Sequence, residues 1–325
     1  MEKHIKNSFN NSYLEKASTI YGFDMTTLEE VGGFENLIYS FKKNENKFIL
    51  RISHSDHHNL YDLNAELEFI QFLKDNNAKV VTPIKSEKGN LVEMLGEKEP
   101  TFLATAFKFA KGRAPRREDA TKEFFTEYGR VLAEMHKITK RFIPKNRRIE
   151  WYEDVLIKDA CSYLPENSKV CSIFNELLNE LHELPKDKES YGLIHTDMHM
   201  GNFFINDELE FEVFDFDDSA YKWFISDIAI VLFYSIWFNP DDLERADFVM
   251  KHFMKGYNQV NKLDDSWFSK LNLFLKFRRI ILYIVIHRSF DINNLPDWAD
   301  RYIKLHEENI LSDSPFIALD FNQYN

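Results

Sequence analysis

The stretch "GLIHTDMHMGNFFIN", Gly192–Asn206, places two histidines, an aspartate and two asparagines between apolar flanks. Three arrangements would use such a cluster. His195, Asp197 and His199 alternate as metal ligands on one face of a strand would. Asp197 could instead be a general base in a loop, with Asn202 holding a metal five residues later. A hydrogen-bonded turn between two buried strands needs no chemistry at all. The stretch that follows, "FEVFDFDDSA", Phe211–Ala220, decides among them. Phe211 and Val213 read as a short buried strand that runs into Asp215, Asp217 and Asp218. Three carboxylates at a strand end repel one another, and a bound divalent cation is the economical compensation.

The joint pattern is His-x-Asp-x-x-x-x-Asn, a strand, a turn, a second strand and Asp-Phe-Asp. "HTDMHMGN" and "VFDFDDSA" resemble the catalytic and metal loops of the aminoglycoside phosphotransferase and choline kinase family, the small-molecule relatives of protein kinases. The resemblance runs from about Leu28 to about Tyr283 and is most specific between Ile194 and Asp227. It implies an α+β, protein-kinase-like two-lobed fold. A small antiparallel-sheet N-lobe with one helix, residues 1–107, would precede a larger, mainly helical C-lobe, residues 108–325. It implies an ATP-dependent phosphotransferase in which Asp197 receives the acceptor's hydroxyl proton and His195 supports the loop by hydrogen bonding. Magnesium would be held by Asn202 and Asp215, with Asp217 assisting. Asp227, in "SDIA", would brace the catalytic loop from the helix below. Thr196 stands where the family usually has glycine.

Working outward, "EEVGGFENLIYSF" puts Gly32 and Gly33 in a turn between two strands, where missing side chains let backbone amides approach phosphates. There is no Gly-Lys-Ser/Thr, so this is not a P-loop. In "KFILRIS", Phe48, Leu50 and Ile52 share one strand face, and Ile49 and Arg51 share the other. On the resemblance, Arg51 occupies the place of the kinase strand lysine and Glu66 is its helix partner. The segment Thr105–Gly112 would be the hinge that binds adenine.

Texture changes along the chain in the same sense. From Met25 to about Phe107 short strands dominate, interrupted by one helix in "NLYDLNAELEFIQFLKDNN" with Leu63, Leu67, Ile70 and Leu73 at helical spacing. The cluster Lys111–Arg117 breaks the pattern, and helices follow: 122–137, 154–163, 170–184, 227–237, 243–257, 267–287 and 296–309.

Composition narrows the class. With 41 basic and 53 acidic residues in 325, the formal charge is −12, which argues against a nucleic-acid partner and, for the small hydroxyl-bearing acceptor that the resemblance implies, favours a cationic one over an anionic one. Tyr221, Trp223, Tyr234, Trp237 and Tyr283 offer rings for it, whereas Arg278, Arg279 and Arg288 would suit a carboxylate or phosphate. Two cysteines, Cys161 and Cys171, are too few for a disulfide framework and suit a reducing cytosol. The start lacks an apolar signal region, and the longest apolar runs fall short of a bilayer span, so a cytoplasmic, membrane-free protein is expected. A metal hydrolase would need further ligand pairs, and His54, His57 and His58 sit together in a polar loop without forming one. A binding module without turnover has no use for a base, which Asp197, Asn202 and Asp215 together argue against.

Overall fold

The structure is a computed structural model that describes residues 3–33, 35–98 and 100–324. In chain order, α1 (Lys3–Ser8) and α2 (Asn11–Tyr21) precede β1 (Glu29–Gly32), β2 (Leu37–Lys43), β3 (Asn46–His54) and α3 (Leu60–Asp75). Then come β4 (Pro83–Ile84), β5 (Val92–Met94), β6 (Phe102–Lys108), α4 (Lys122–Thr139), α5 (Val155–Lys158) and α6 (Lys169–His182). Four short strands follow: β7 (Tyr191–Ile194), β8 (Phe203–Ile205), β9 (Phe211–Val213) and β10 (Ala220–Trp223). The chain ends with α7 (Phe224–Ile236), α8 (Leu243–Tyr257), α9 (Leu271–Ser289) and α10 (Asp297–Leu311). Contacts divide it into one unit of residues 1–114, 142–148 and 203–217 and another of 115–141, 149–202 and 218–325.

The first unit is built on an antiparallel sheet in the order β1-β2-β3-β6-β4, with β5 also pairing β6. Leu50 and Ile52 of β3, Phe41 of β2 and Phe102, Ala104 and Ala106 of β6 face a core closed by Leu14, Ala17, Ile20 and Tyr21 of α2. No helix was expected before Met25, so α1 and α2 are additions to the sequence reading. Helix α2 is nonetheless well marked. The Asn10 side chain accepts from the Ser12 N–H, and Gly22 ends the helix at φ 68° with its N–H on the Ser18 carbonyl. In α3, Leu63, Leu67, Ile70 and Leu73 are all buried, as their spacing requires. The β8–β9 hairpin joins this unit where the Val213 N–H donates to the Lys79 carbonyl and the Val81 N–H to the Val213 carbonyl.

The second unit is mainly helical. Helices α4 and α8 cross closely because both carry glycine at the contact. A Cβ on Gly129 would stand 1.9 Å from the Phe253 carbonyl oxygen, and one on Gly256 would stand 1.7 Å from that of Thr126. The apolar run of α7 is buried along most of its length, which is why it reads as an uninterrupted hydrophobic segment. Strand β10 pairs antiparallel with β7, Ala220 opposite Ile194 and Trp223 opposite Tyr191. This two-stranded ribbon fixes the start of the segment His195–Asn202 and delivers the chain directly into α7. Among the described residues no helix is long and apolar enough to cross a membrane.

One expectation is corrected. Cys161 and Cys171 are joined by a disulfide, with Cα atoms 5.3 Å apart, because the turn Ala160–Tyr163 lies against the first turn of α6.

Candidate active site

Strand β7 ends at Ile194, and the next residues form a loop rather than a strand, so His195, Asp197 and His199 do not alternate on one face. Thr196 adopts φ 66°, the left-handed region that disfavours side chains with a Cβ. Two bonds hold it there. Its N–H donates to Asp227 Oδ1 at 2.9 Å and its hydroxyl donates to the Asp218 carbonyl at 2.7 Å. The backbone explains why glycine suits this position, and the bonds explain how threonine serves. Asp227, in the first turn of α7, is fully buried and also meets His136 Nε2 at 3.1 Å. The brace expected of it is therefore present as geometry. His195 is buried too, and its Nδ1 accepts the Asp197 N–H at 3.3 Å.

Asp197 receives donors from three directions. Arg278 of α9 bonds Oδ1 at 2.6 Å, while His199 Nε2 and Asn202 Nδ2 both reach Oδ2 at 3.2 Å. The Gly201 N–H donates to His199 Nδ1 at 2.9 Å, which leaves the ring proton on Nε2, facing the carboxylate. Burial works to raise the Asp197 pKa, but Arg278, the His199 bond and the nearby imidazoles outweigh it and hold the group well below the usual carboxylate range. Arg278 also bonds the Tyr234 hydroxyl. The sequence signal for Arg278 is an arginine inside the apolar run of α9, since a guanidinium drawn out of water needs an anion. It was read as an acceptor contact, whereas its partner is Asp197. Arg279, beside it, is spent on the carbonyls of Asn309 and Ser314.

Asn202 Nδ2 is also bonded to the Asp197 carbonyl at 2.9 Å, so its amide hydrogens point into the loop and its Oδ1 is presented away from them. A neutral oxygen of this kind is a ligand type suited to a hard divalent cation, and the Asp215 side chain is exposed. Asp215 follows β9 in the left-handed region, at φ 66°.

In the first unit, Arg51 and Glu66 are both buried, and the guanidinium forks onto the carboxylate at 2.8 and 2.7 Å. Arg51 Nε donates to Thr105 Oγ1 at 3.1 Å and one terminal nitrogen lies 3.3 Å from Asp217 Oδ1. Asp217 Oδ2 accepts from Asn36 at 2.7 Å and meets His58 Nε2 at 3.3 Å. Burial opposes its charge, but His58 and Arg51 prevail and its pKa lies well below the ordinary range. The same carboxylate overcomes the burial of His58 and raises that imidazole to about 9. Glu35, His58 and Asp217 offer donor atoms within 4.8 Å of one another. His58 and Asn36 were not anticipated, because nothing local in a polar loop marks a residue that meets Asp217 far along the chain. Gly32 and Gly33 both have positive φ, 126° and 124°, and a Cβ on Gly33 would fall 2.1 Å from the Asn36 carbonyl oxygen.

Of the rings expected to face an acceptor, Trp223 and Tyr283 are buried in the helical core, and Tyr283 bonds Glu307. Tyr234 and Trp237 are half-buried, with the His199 ring tilted against Tyr234 at 4.7 Å and Tyr234 edge-to-face with Trp237 at 5.3 Å between ring centroids.

Comparison with known proteins places this geometry. Residues 27–260 match the phosphotransferase enzyme family. The chain is 32% identical to an amicoumacin kinase of Bacillus subtilis (strain 168), across 99% of this chain and 98% of that one. It superposes at a TM-score of 0.94 and 31% identity, over the whole of both chains, on the amicoumacin kinase hAmiN, solved in complex with AMP-PNP, Ca2+ and Ami. The choline kinase LicA from Streptococcus pneumoniae, at 16% identity, TM-score 0.62 and coverage of 96% and 99%, shares the fold.

Proposed function

The chain belongs to the phosphotransferase enzyme family, as a kinase of protein-kinase-like fold acting on an alcohol group, and from that premise we propose that it phosphorylates a hydroxyl of an amicoumacin-type antibiotic using ATP and magnesium. The end-to-end likeness to amicoumacin kinases carries the choice of acceptor. Within the site, Asp197 orients the acceptor hydroxyl and takes its proton, with Arg278, His199 and Asn202 fixing the carboxylate. Asn202 and Asp215 hold magnesium, and Asp217, assigned with them from the motif, already serves Arg51, His58 and Asn36. Bound magnesium offsets the negative charge of the nucleotide phosphates. Arg51, set by Glu66, adds a fixed cation for the same phosphates, and the Gly32–Gly33 backbone leaves room for them. His195 and Asp227 position the loop without touching the reacting groups.

The test is direct. Purified protein with ATP and magnesium is offered amicoumacin, an aminoglycoside and choline in parallel, and phosphorylated product is read by mass spectrometry. Amicoumacin is expected to be consumed preferentially. Transfer to choline or the aminoglycoside alone would overturn the acceptor assignment and leave the kinase chemistry. Nucleotide binding with no transfer to any of them would favour a binding role instead.

A further inference from the structure

The helical unit holds a cavity of about 150 Å³ beside the catalytic loop, walled by His199, Met200 and Gly201 on one side and by Val231, Tyr234 and Ser235 of α7 on the other. Its floor includes Tyr128 of α4. The polar side chains in this wall already have protein partners. The Tyr128 hydroxyl donates to the Met198 carbonyl, and Ser235 Oγ donates to the Val231 carbonyl at 2.8 Å. His199 is bonded at both ring nitrogens, and the Tyr234 hydroxyl accepts from Arg278. Among the lining residues Val231 and Met200 are apolar, and Tyr128, Tyr234 and His199 carry rings. A sugar hydroxyl placed there would give up water for few open hydrogen-bonding partners. An apolar group loses nothing, and a cavity of about 150 Å³ accommodates a benzene-sized one.

Its position gives the cavity a role. His199 is at once a wall and a ligand of the Asp197 carboxylate, so a group lodged here is attached close to the hydroxyl that Asp197 addresses. We propose that this cavity is an acceptor subsite for a compact apolar substituent, a branched aliphatic chain or a single ring, carried next to the phosphorylated hydroxyl. The proposal rests on the reading of Asp197 as base. It separates this enzyme from one built for acceptors that are polar over their whole surface.

The experiment uses 2-amino alcohols that differ only in side chain: ethanolamine, alaninol, valinol, leucinol and phenylalaninol. Binding is titrated by NMR without nucleotide, and phosphorylation is followed with ATP and magnesium. Leucinol and phenylalaninol are expected to exceed ethanolamine in affinity and in kcat/KM by on the order of 10–10²-fold, as filling an apolar pocket does. Ser235→Leu, which fills the cavity, should bring the leucinol-to-ethanolamine ratio close to one. Should that variant fail to fold, Val231→Ala enlarges the cavity and should shift preference from leucinol towards phenylalaninol. A flat binding series in the wild type, or a ratio unmoved by either variant, overturns the subsite. The binding arm involves no chemistry, so a side-chain preference in binding together with undiminished turnover in Asp197→Asn would uphold the cavity and sink the base.

Discussion

Asp197 is a carboxylate bound more tightly by its own protein than a solvent-exposed base would be. Arg278, His199 and Asn202 occupy both oxygens and keep it ionised throughout the neutral range. As the proposed base such a group would contribute mainly by orienting the acceptor hydroxyl, and it would give the pH profile of turnover no inflection of its own near neutrality. Asp197→Asn keeps the size but removes the charge that Arg278 pairs with; it is expected to lower kcat/KM by on the order of 10²–10⁴ with nucleotide affinity little changed, and to lower the melting temperature in part. Turnover near the wild-type rate would remove Asp197 from the chemistry. Glu66 has a different kind of importance. It is 1% exposed and receives the Arg51 fork, so Glu66→Gln leaves a buried cation whose remaining carboxylate, Asp217, is already shared with His58 and Asn36. A loss of about 3 kcal/mol of unfolding free energy is expected from denaturant titration. An unchanged midpoint would mean the pair relaxes into water.

Elements whose pattern is local were legible. The apolar spacing of α3 and the two faces of β3 follow from side-chain periodicity alone, and α8 was read as 243–257, the limits it has in the structure. The chemistry-bearing loops were legible because residue types and spacing, rather than three-dimensional context, carry them. What escaped depends on distant partners. Helix α2 is half polar, and its caps at Asn10 and Gly22 were passed over. Left-handed Thr196 is held by Asp227 at its N–H and by the Asp218 carbonyl at its hydroxyl, and His58 matters because Asp217 returns to it. Strand β10 supplies a further case. Lys222 is 6% exposed, with its ammonium 4.0 Å from the centroid of Phe277. Burial, then Arg278, pull its pKa from 10.5 to about 7, against Asp227 and Asp154. The folded protein therefore holds fewer protons than the unfolded chain between about pH 7 and 10.5, and stability rises with pH across that window. Below it, the cost of burying the charge is present in full. Lys222→Met is expected to raise stability at pH 6 by a few kcal/mol at the upper limit and to flatten the rise between pH 7 and 10. Thermal melts over pH 6–10 check both, and a parallel shift at every pH would assign the slope to other groups.

At the scale of the whole molecule two electrostatic influences oppose each other. The net charge of −12 draws cations from a distance and repels anions, while Arg278 sets a positive charge directly against Asp197. They differ in range. The field of the whole chain acts over a Debye length, about 10 Å at 0.1 M salt and about 3 Å at 1 M, whereas the half-buried Arg278–Asp197 contact is screened less. Salt therefore removes the attraction of a cationic acceptor and leaves the reacting constellation intact. The appropriate pair is leucinol and the neutral diol of the same skeleton, each assayed at saturating ATP and magnesium so that nucleotide binding does not enter the comparison. As salt rises from 0.05 to 1 M, kcat/KM for leucinol is expected to fall several-fold relative to the diol, with kcat for both nearly constant, since steering alters encounter rather than chemistry. Equal slopes for the two acceptors would show that the acidic surface is remote from the approach path and that charge near Asp197 alone selects the acceptor. A rising ratio would show that the local cations dominate, and would redirect the search to neutral or anionic hydroxyl compounds.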